Sequence, residues 1–178
     1  MTLLRPSAAE QRVGGASRTA RLRRTLGAFT TGVTVVTTTA EDGTPVGLTV
    51  NSFTSVSLEP PLILWCLGRR SSLLGAFETA THFAVNVLSL GQSATARRFA
   101  TSGVDRFEDV EWQLGPGGVP LVDGAAAWLV CRRTPVRVPA GDHVVFFGEV
   151  LSHRATGAEP LVFARGQYRA LDPDRLDP

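Results

Sequence analysis

The chain has 178 residues, of which 43% are hydrophobic and 19% are charged, and its formal net charge at pH 7 is +2. This length and composition are typical of one globular domain with a substantial core. The small net charge gives no electrostatic argument for a nucleic-acid partner, and we predict none. All 18 basic residues are arginine, so chemistry that requires a lysine Schiff base is excluded.

The two ends of the chain lack the apolar periodicity of the middle. We predict a disordered N-terminal tail over residues 1–17, one domain over residues 18–170 and a C-terminal tail over residues 171–178. No signal-peptide pattern precedes the domain, and no apolar run approaches the roughly 20 residues of a membrane span. Cys66 and Cys131 lie in apolar runs, which favours buried free thiols. We therefore expect a cytoplasmic protein without membrane contact.

In chain order, the first predicted element is a helix from about Ser17 to Ala28, followed by a β-branched strand from Val33 to Thr39. An Asp-Gly turn then predicts a hairpin. The later elements are strands at about 46–50, 53–57 and 62–67, a short helix over 73–79 capped by Ser71 or Ser72, a strand at 83–88, a helix at 93–101, a loop over 103–126, and strands at about 127–138, 143–153 and 161–168.

Hairpins dominate this pattern, and long crossover helices are missing from it. It therefore predicts a mainly β fold, an antiparallel barrel with short peripheral helices, and not a doubly wound sheet. Neither the dinucleotide-binding glycine fingerprint nor a phosphate-binding P-loop motif occurs in the sequence. A nucleotide ligand would therefore have to bind on a barrel.

The most informative segment is "TVNSFTSVSLEPP" at residues 49–61, where small hydroxyls and one amide alternate with apolar residues. Because strand side chains alternate between two faces, one face should carry a row of polar groups unless a bulge intervenes. The residues expected on that face are Thr49, Asn51, Ser55 and Ser57. Further glycine and hydroxyl residues lie at 30–34, and "RRSS" lies at 69–72. Together these patterns indicate a surface that hydrogen-bonds a polar, phosphorylated, planar ligand such as a nucleotide or flavin.

Seven segments extend this pattern in order over residues 22–168: "LRRTLGAFTTGVTVVTT", "VGLTVNSFTSVSLEPPLILWCLGRRSS", "HFAVNVLS", "ARRFA", "DRF", "GDHVVFFGEV" and "PLVFARGQY". With them the sequence resembles the flavin reductase family of two-component monooxygenase systems. The resemblance implies a homodimeric Greek-key split β-barrel that binds FMN or FAD and reduces it with NADH or NADPH. It also implies transient transfer of the reduced flavin to a separate flavin-dependent monooxygenase.

By the same resemblance, three regions line the flavin, and a basic helix start at Arg70 receives its phosphate. The residues expected to bind the flavin are Thr31, Gly32, Val33, Thr34, Thr49, Asn51, Ser52, Phe53, Thr54, Ser55, Arg70, Ser71, Ser72, Phe83, Asn86, Arg98 and Phe99.

The Gly-Asp-His segment at 141–143 resembles the nicotinamide site of the family. His143 is the expected catalytic residue, with Asp142 holding its tautomer, and Arg165 and Tyr168 are expected beside the nicotinamide. No metal site is expected. Two alternatives remain open at this point: a split barrel that carries flavin without turnover, and a flavoprotein that retains its flavin and reduces another substrate.

Overall fold

The computed structural model describes residues 17–171, so all but Ser17 and Leu171 of the tails predicted at 1–17 and 171–178 lie outside it. The first helix, α1, spans Arg18–Leu26, and the Oγ atom of its N-cap Ser17 accepts a hydrogen bond from the Ala20 amide at 3.2 Å. The other α-helices are α2 (Leu74–Thr79) and α3 (Ser93–Ala100), and short 3-10 helices span Leu90–Gln92 and Pro116–Gly118. The strands are β1 (Thr31–Gly32), β2 (Thr34–Thr39), β3 (Pro45–Val50), β4 (Thr54–Leu58), β5 (Pro61–Gly68), β6 (His82–Val87), β7 (Trp112–Leu114), β8 (Pro120–Val122), β9 (Ala127–Ala140), β10 (His143–Ala155), β11 (Val162–Ala164) and β12 (Gln167–Arg169).

Seven of these strands form one antiparallel sheet in the order β3-β2-β6-β9-β10-β5-β4. Its two edge strands, β3 and β4, are joined by only three residues, 51–53. Such a link reaches about 14 Å at most, whereas six strand spacings in a flat sheet would cover roughly 29 Å. The sheet must therefore curl until its edges approach one another, which confirms the prediction of a mainly β, antiparallel barrel.

The interior of the curled sheet is aromatic. Strand β5 alternates buried and partly buried residues, and Trp65 is fully buried. The Trp65 ring stacks on Phe146 at 5.0 Å and meets Phe77 and Phe83 edge-on. These residues belong to the main hydrophobic cluster, and a second cluster packs beneath α3 around Val33, Leu88 and Phe99.

The break predicted between the strands at 46–50 and 53–57 is present, since β3 ends at Val50 and β4 begins at Thr54. The expected single polar face over 49–57 required that no bulge intervene, and a register shift between Ser55 and Ser57 interrupts it. Three other local expectations are wrong. The short helix has Leu73, not Ser71 or Ser72, at its N-cap. The predicted loop over 103–126 contains the β7–β8 hairpin. The single strand at 161–168 is a tight hairpin, because Arg165 and Gly166 have φ angles of 51° and 79°.

No helix within residues 17–171 combines the length and the apolar character that a membrane crossing would require.

Candidate functional site

Three chain segments lie side by side near the C-terminal end of β5. The Ser52 Oγ atom accepts a hydrogen bond from the Cys66 amide at 2.9 Å, which places the 51–53 link against this strand. On the opposite side, Gly68 pairs with His143 at the start of β10. Neighbouring strands lie about 4.8 Å apart, so Ser52 and His143 flank a single strand. The strand order β4-β5-β10 thus brings the polar 51–55 segment and the Gly-Asp-His turn to the same region.

The start of β2 borders this region from the other side. Thr34 pairs with Val50 at the end of β3, and its Oγ1 donates to the Val50 carbonyl at 2.9 Å. Thr31, three residues earlier, pairs with Phe163. The Thr31 Oγ1 atom is buried and has no hydrogen-bond partner among the described residues. Since such a hydroxyl is costly to leave unpaired, it fits a site where a bound group completes its hydrogen bonding.

The backbone leaves open space around these polar groups. A Cβ atom added at Gly32 would meet no atom within 4 Å, and one at Gly68 would meet only the His143 Nε2, at 3.9 Å. Asn51 and Ser55 are exposed, and no described residue hydrogen-bonds their side chains. A planar ligand could therefore approach the backbone closely and find free amide and hydroxyl groups along its edge, as the chemistry of a flavin requires.

Asp142 and His143 form a hydrogen-bonded pair at the rim of this region. The His143 Nδ1 lies 2.7 Å from the Asp142 Oδ1. With its proton on Nδ1, the ring donates to the carboxylate and keeps Nε2 free to contact a ligand. The hydrogen bond and charge of His143 lower the pKa of Asp142, and the positive charge of Arg70 acts in the same direction. The Arg69 amide donates to the Asp142 carbonyl at 2.9 Å and anchors the turn.

The turn at residues 70–72 provides charge and hydroxyls but little helix dipole. Helix α2 has only six residues, and the Ser71 Oγ accepts from the Leu73 amide at 3.2 Å. Arg70 and Ser72 are exposed beside the Asp142 turn. The expected role of this turn in binding the flavin phosphate therefore depends on Arg70 and the free hydroxyl of Ser72, and it stays a prediction.

Several residues expected at the flavin have structural partners instead. The Thr49 Oγ1 donates to the Ala96 carbonyl at 2.7 Å, which ties β3 to α3. Asn86 is fully buried: its Nδ2 donates to the Val35 carbonyl and the Thr37 hydroxyl, and its Oδ1 accepts from the Val122 amide.

Three further expected flavin residues also belong to the framework. Phe83 and Phe99 are core residues with at most 1% exposure. Arg98 forms ion pairs with Glu108 at 3.1 Å and Asp109 at 3.5 Å. We leave Thr49, Phe83, Asn86, Arg98 and Phe99 out of the proposed contact set, because these contacts already account for them.

Arg165 and Tyr168 lie at the other end of the site. Tyr168 pairs with Phe163, which also pairs with Thr31, so β1, β11 and β12 form a separate three-stranded sheet. The Arg97 guanidinium lies over the Tyr168 ring, 5.4 Å from its centroid, and burial raises the pKa of the phenol. The contacts among the described residues thus connect Arg165 and Tyr168 to Thr31, not to the Asp142–His143 pair.

Sequence reasoning missed the backbone of β5 between Cys66 and Gly68, which bridges the two halves of the site. Its apolar side chains indicate a core strand, so no composition signal distinguishes it. The pairing of Ser52 with Cys66 could be found only from the strand order.

Comparison with known proteins gives a consistent result. A flavin reductase like domain model matches residues 26–172. The NADH-dependent FMN reductase SmoA of Agrobacterium fabrum is 46% identical over 156 residues, which are 88% of each chain. The reductase subunit HsaB of a Rhodococcus jostii flavin-dependent monooxygenase is 42% identical, over 89% of this chain and 80% of that protein.

The chain spans about half the length of another curated relative. Among solved structures, the Streptomyces globisporus NADH:FAD oxidoreductase in complex with NAD and FAD fragments superposes with a TM-score of 0.84 at 42% identity, covering 89% of this chain and 95% of that one. With the barrel and the open polar region already established, these matches show that the chain belongs to the flavin reductase family.

Proposed function

We propose that this protein is an NADH-dependent flavin reductase that reduces FMN or FAD. The observation that carries the proposal is the Asp142–His143 pair, which lies one strand away from an open region edged by free amide and hydroxyl groups. A pure flavin carrier would need the open region but not the Asp142–His143 pair. Relatives described as an NADH-dependent FMN reductase and an NADH-dependent FAD reductase support NADH as the hydride donor.

The proposed contact set has two parts. Residues 31–34 and 51–55 would hold the flavin ring and its side chain, and residues 70–72 would hold the phosphate. The orphan Thr31 hydroxyl, Asn51 and Ser55 offer hydrogen bonds to the polar edge of the ring. When bound, the flavin accepts a hydride from the nicotinamide.

The protein contributes position and electrostatics to that transfer. Asp142 holds His143 so that Nε2 faces the space above Gly68, where it can hydrogen-bond the nicotinamide. Holding two rings in van der Waals contact lowers the entropy cost of the reaction. Fixed amide and hydroxyl donors at the flavin edge stabilise the negative charge that the ring gains on reduction. No side chain needs to transfer a proton during the hydride step.

Two properties of the family are also proposed for this chain. One is delivery of the reduced flavin to a separate monooxygenase, which is supported by relatives described as reductase subunits of such enzymes.

The other proposed property is a homodimer. Helix α1 buries none of its residues in the described chain, and the exposed fractions of Leu22, Leu26 and Phe29 are 56%, 63% and 78%. A contiguous exposed apolar ridge of this kind is typical of an interface, and a second copy would cover it.

The test is NADH oxidation by the purified protein with FMN, FAD or riboflavin added in turn, followed by the loss of NADH absorbance. We expect rapid oxidation that saturates with one of these flavins. Flavin binding, seen as fluorescence quenching, without NADH or NADPH oxidation would reject the reductase and leave a flavin carrier.

A further inference from the structure

A cavity of about 490 Å³ lies between the end of α1 and the β11–β12 hairpin, at the Arg165 end of the region described above. The described residues that line it are Arg23, Arg24, Gly27, Ala28, Arg165 and Gly166. All of the charged residues among them are arginine. The two elements are joined directly, because the Arg165 amide donates to the Gly27 carbonyl at 2.7 Å.

The three arginines lack compensation from the protein. None of them forms an ion pair with an acidic residue in the described part of the chain. Helix α1 has no acidic residue in its first turn, and Arg97 and Arg169 add positive charge on the hairpin side. Like charges held close together destabilise a fold. The arrangement therefore favours an anion that would offset the repulsion.

The backbone conformation at Arg165 supports a functional reading of this cluster. Its φ of 51° lies in the left-handed region, which a side chain with a Cβ rarely adopts. Gly166 has φ 79° beside it. An observed backbone outlier of this kind is a reason to look for function. The tight turn brings Arg165 over the end of α1, opposite Arg23 and Arg24.

The cavity also adjoins the candidate site. The hairpin that carries Arg165 pairs through Phe163 with Thr31, whose buried hydroxyl has no described partner. Arginine is suited to phosphate because its planar guanidinium donates two parallel hydrogen bonds to phosphate oxygens. Three guanidinium groups around one opening exceed what a single carboxylate would need.

We infer that this cavity binds a phosphate group of a nucleotide substrate, an inference that rests on the proposed reductase function. The same chemistry is present in the pyrophosphate or 2′-phosphate of a pyridine dinucleotide and in the phosphate of FMN or FAD. The turn at residues 70–72 would then be one phosphate site and this cavity a second one. A dinucleotide phosphate and a flavin phosphate predict different changes in KM when the arginines are replaced.

The experiment compares wild type with the double variant Arg23→Gln/Arg24→Gln and with Arg165→Asn, since asparagine tolerates a left-handed backbone. The matched control is Arg18→Gln, which removes the same charge from the same helix outside the cavity. In the first arm, KM for NADH and NADPH is measured with riboflavin, which has no phosphate, as the acceptor. In the second arm, KM for FMN, FAD and riboflavin is measured at saturating NADH. Thermal melting verifies that every variant is folded.

We expect KM for the phosphate-bearing ligand to rise about tenfold or more in both cavity variants, because each variant loses one or two charge-assisted hydrogen bonds to the phosphate. A rise in the first arm identifies the dinucleotide, and a larger effect on NADPH than on NADH identifies the 2′-phosphate. A rise for FMN or FAD but not riboflavin identifies the flavin phosphate. If the KM values of both cavity variants stay within twofold of those of Arg18→Gln in both arms, the inference is overturned.

A direct binding measurement separates failure of this inference from failure of the proposed function. If wild type oxidises neither NADH nor NADPH with any flavin, the reductase proposal fails. The cavity is then tested with ADP, 2′-AMP and FMN by calorimetric titration. Binding of any of these nucleotides that the cavity variants weaken and Arg18→Gln preserves would support the phosphate site. Equal binding by all variants, or no binding, would reject it.

Discussion

The chemistry of residues 142 and 143 depends on one hydrogen bond. The Asp142 side chain is almost fully exposed, yet its pKa is lowered, because His143 contacts it and Arg70 lies nearby. A carboxylate with a depressed pKa keeps its interaction at every pH above the ordinary Asp range and loses it only as the pH falls through the lowered value. The orienting role of Asp142 should therefore persist throughout the working range of the enzyme.

We expect His143→Ala to lower kcat/KM for NADH about tenfold, since one hydrogen bond to the nicotinamide is removed. Asp142→Asn should cause a smaller loss in the same direction, because His143 then loses its fixed tautomer. Steady-state kinetics at varied NADH measures both effects. His153→Ala is the matched control, because His153 is exposed on β10 away from the site. An equal effect of all three substitutions would contradict the proposed roles.

The pH dependence provides a second readout of the same pair. Between pH 7 and about 5, Asp142 stays ionised, since the ordinary Asp pKa is about 3.9 and this one is lower. Over that interval we expect the KM for NADH to depend on pH in the same way in wild type and in Asp142→Asn. A pH-dependent rise present in wild type and absent in Asp142→Asn would show that the carboxylate protonates there.

Gly148 is a buried residue of β10 that faces the barrel core. A Cβ atom at this position would lie 2.5 Å from the Phe83 ring and 2.9 Å from the Cys131 Cβ. Both neighbours are buried, and burial raises the pKa of the Cys131 thiol to about 12. The site therefore has no space for even one methyl group.

We expect Gly148→Ala to lower the free energy of unfolding by about 1–3 kcal/mol through overpacking. Gly75→Ala is the control, since Gly75 lies in α2 and an added Cβ would meet nothing within 4 Å. That substitution should be neutral or stabilising by up to about 1 kcal/mol. Urea denaturation of the two variants and wild type measures both values. A Gly148→Ala variant as stable as wild type would show that the core relaxes around the added methyl.

At the scale of elements, the segment after α3 is held by arginine and not by apolar packing alone. The Arg106 Nε donates to the Thr101 carbonyl at 2.9 Å, and its Nη1 donates to the Gly47 carbonyl of β3 at 3.0 Å. Burial lowers the pKa of Arg106. Phe107 packs edge-on against Phe99 of α3. The "DRF" segment thus joins α3 to the edge strand that leads into the candidate site.

We expect Arg106→Gln to destabilise the protein by about 1–2 kcal/mol, because two hydrogen bonds from a charged donor are lost. Amide hydrogen exchange should also accelerate over residues 101–110. Arg132→Gln is the control, since the Arg132–Glu149 ion pair is solvent-exposed and such pairs contribute about 0–1 kcal/mol. Hydrogen-exchange mass spectrometry measures the local effect. Unchanged exchange in this segment would mean that the aromatic contacts suffice.

For the whole molecule, closure of the sheet creates the candidate site. Strands β3 and β4 are consecutive in the chain but lie at opposite edges of the sheet. The link between them lies beside β5 because β4 pairs with β5, and the Ser52 hydroxyl accepts a hydrogen bond from the Cys66 amide there. Curling the sheet brings β3, at the other end of the link, and its neighbour β2 to the same place. The polar segment is thus presented at a seam of the barrel, where its amide and hydroxyl groups stay available.

The proposed homodimer also belongs to this scale. We expect analytical ultracentrifugation to give a mass near twice the 19.0 kDa of the chain. Leu26→Asp should shift the population towards monomer, since it places a charge on the exposed apolar ridge of α1. Thr79→Asp, at the exposed end of α2, is the control and should leave the mass unchanged. A wild-type mass of one chain at micromolar concentration would reject the dimer.

Local patterns in the sequence were sufficient for most of the elements. Period-two alternation, β-branched residues and the Asp-Gly turn predicted β2, β3, β5 and β6 within a few residues. They failed where one residue changes the backbone direction. The 161–168 strand folds back at Arg165, and nothing in an arginine signals a left-handed conformation.

The sequence by itself determined the antiparallel β class and the segments that carry polar groups, because these depend on residue types and short spacings, and its resemblance to the flavin reductases indicated the family. Only the tertiary structure decided which groups are available to a ligand. It buries Asn86 and Phe99 in the framework, and it leaves Asn51 and Ser55 free. It also gathers Arg23, Arg24 and Arg165 around one cavity. Contacts between residues far apart in the chain depend on strand order and sheet closure, which no local pattern encodes.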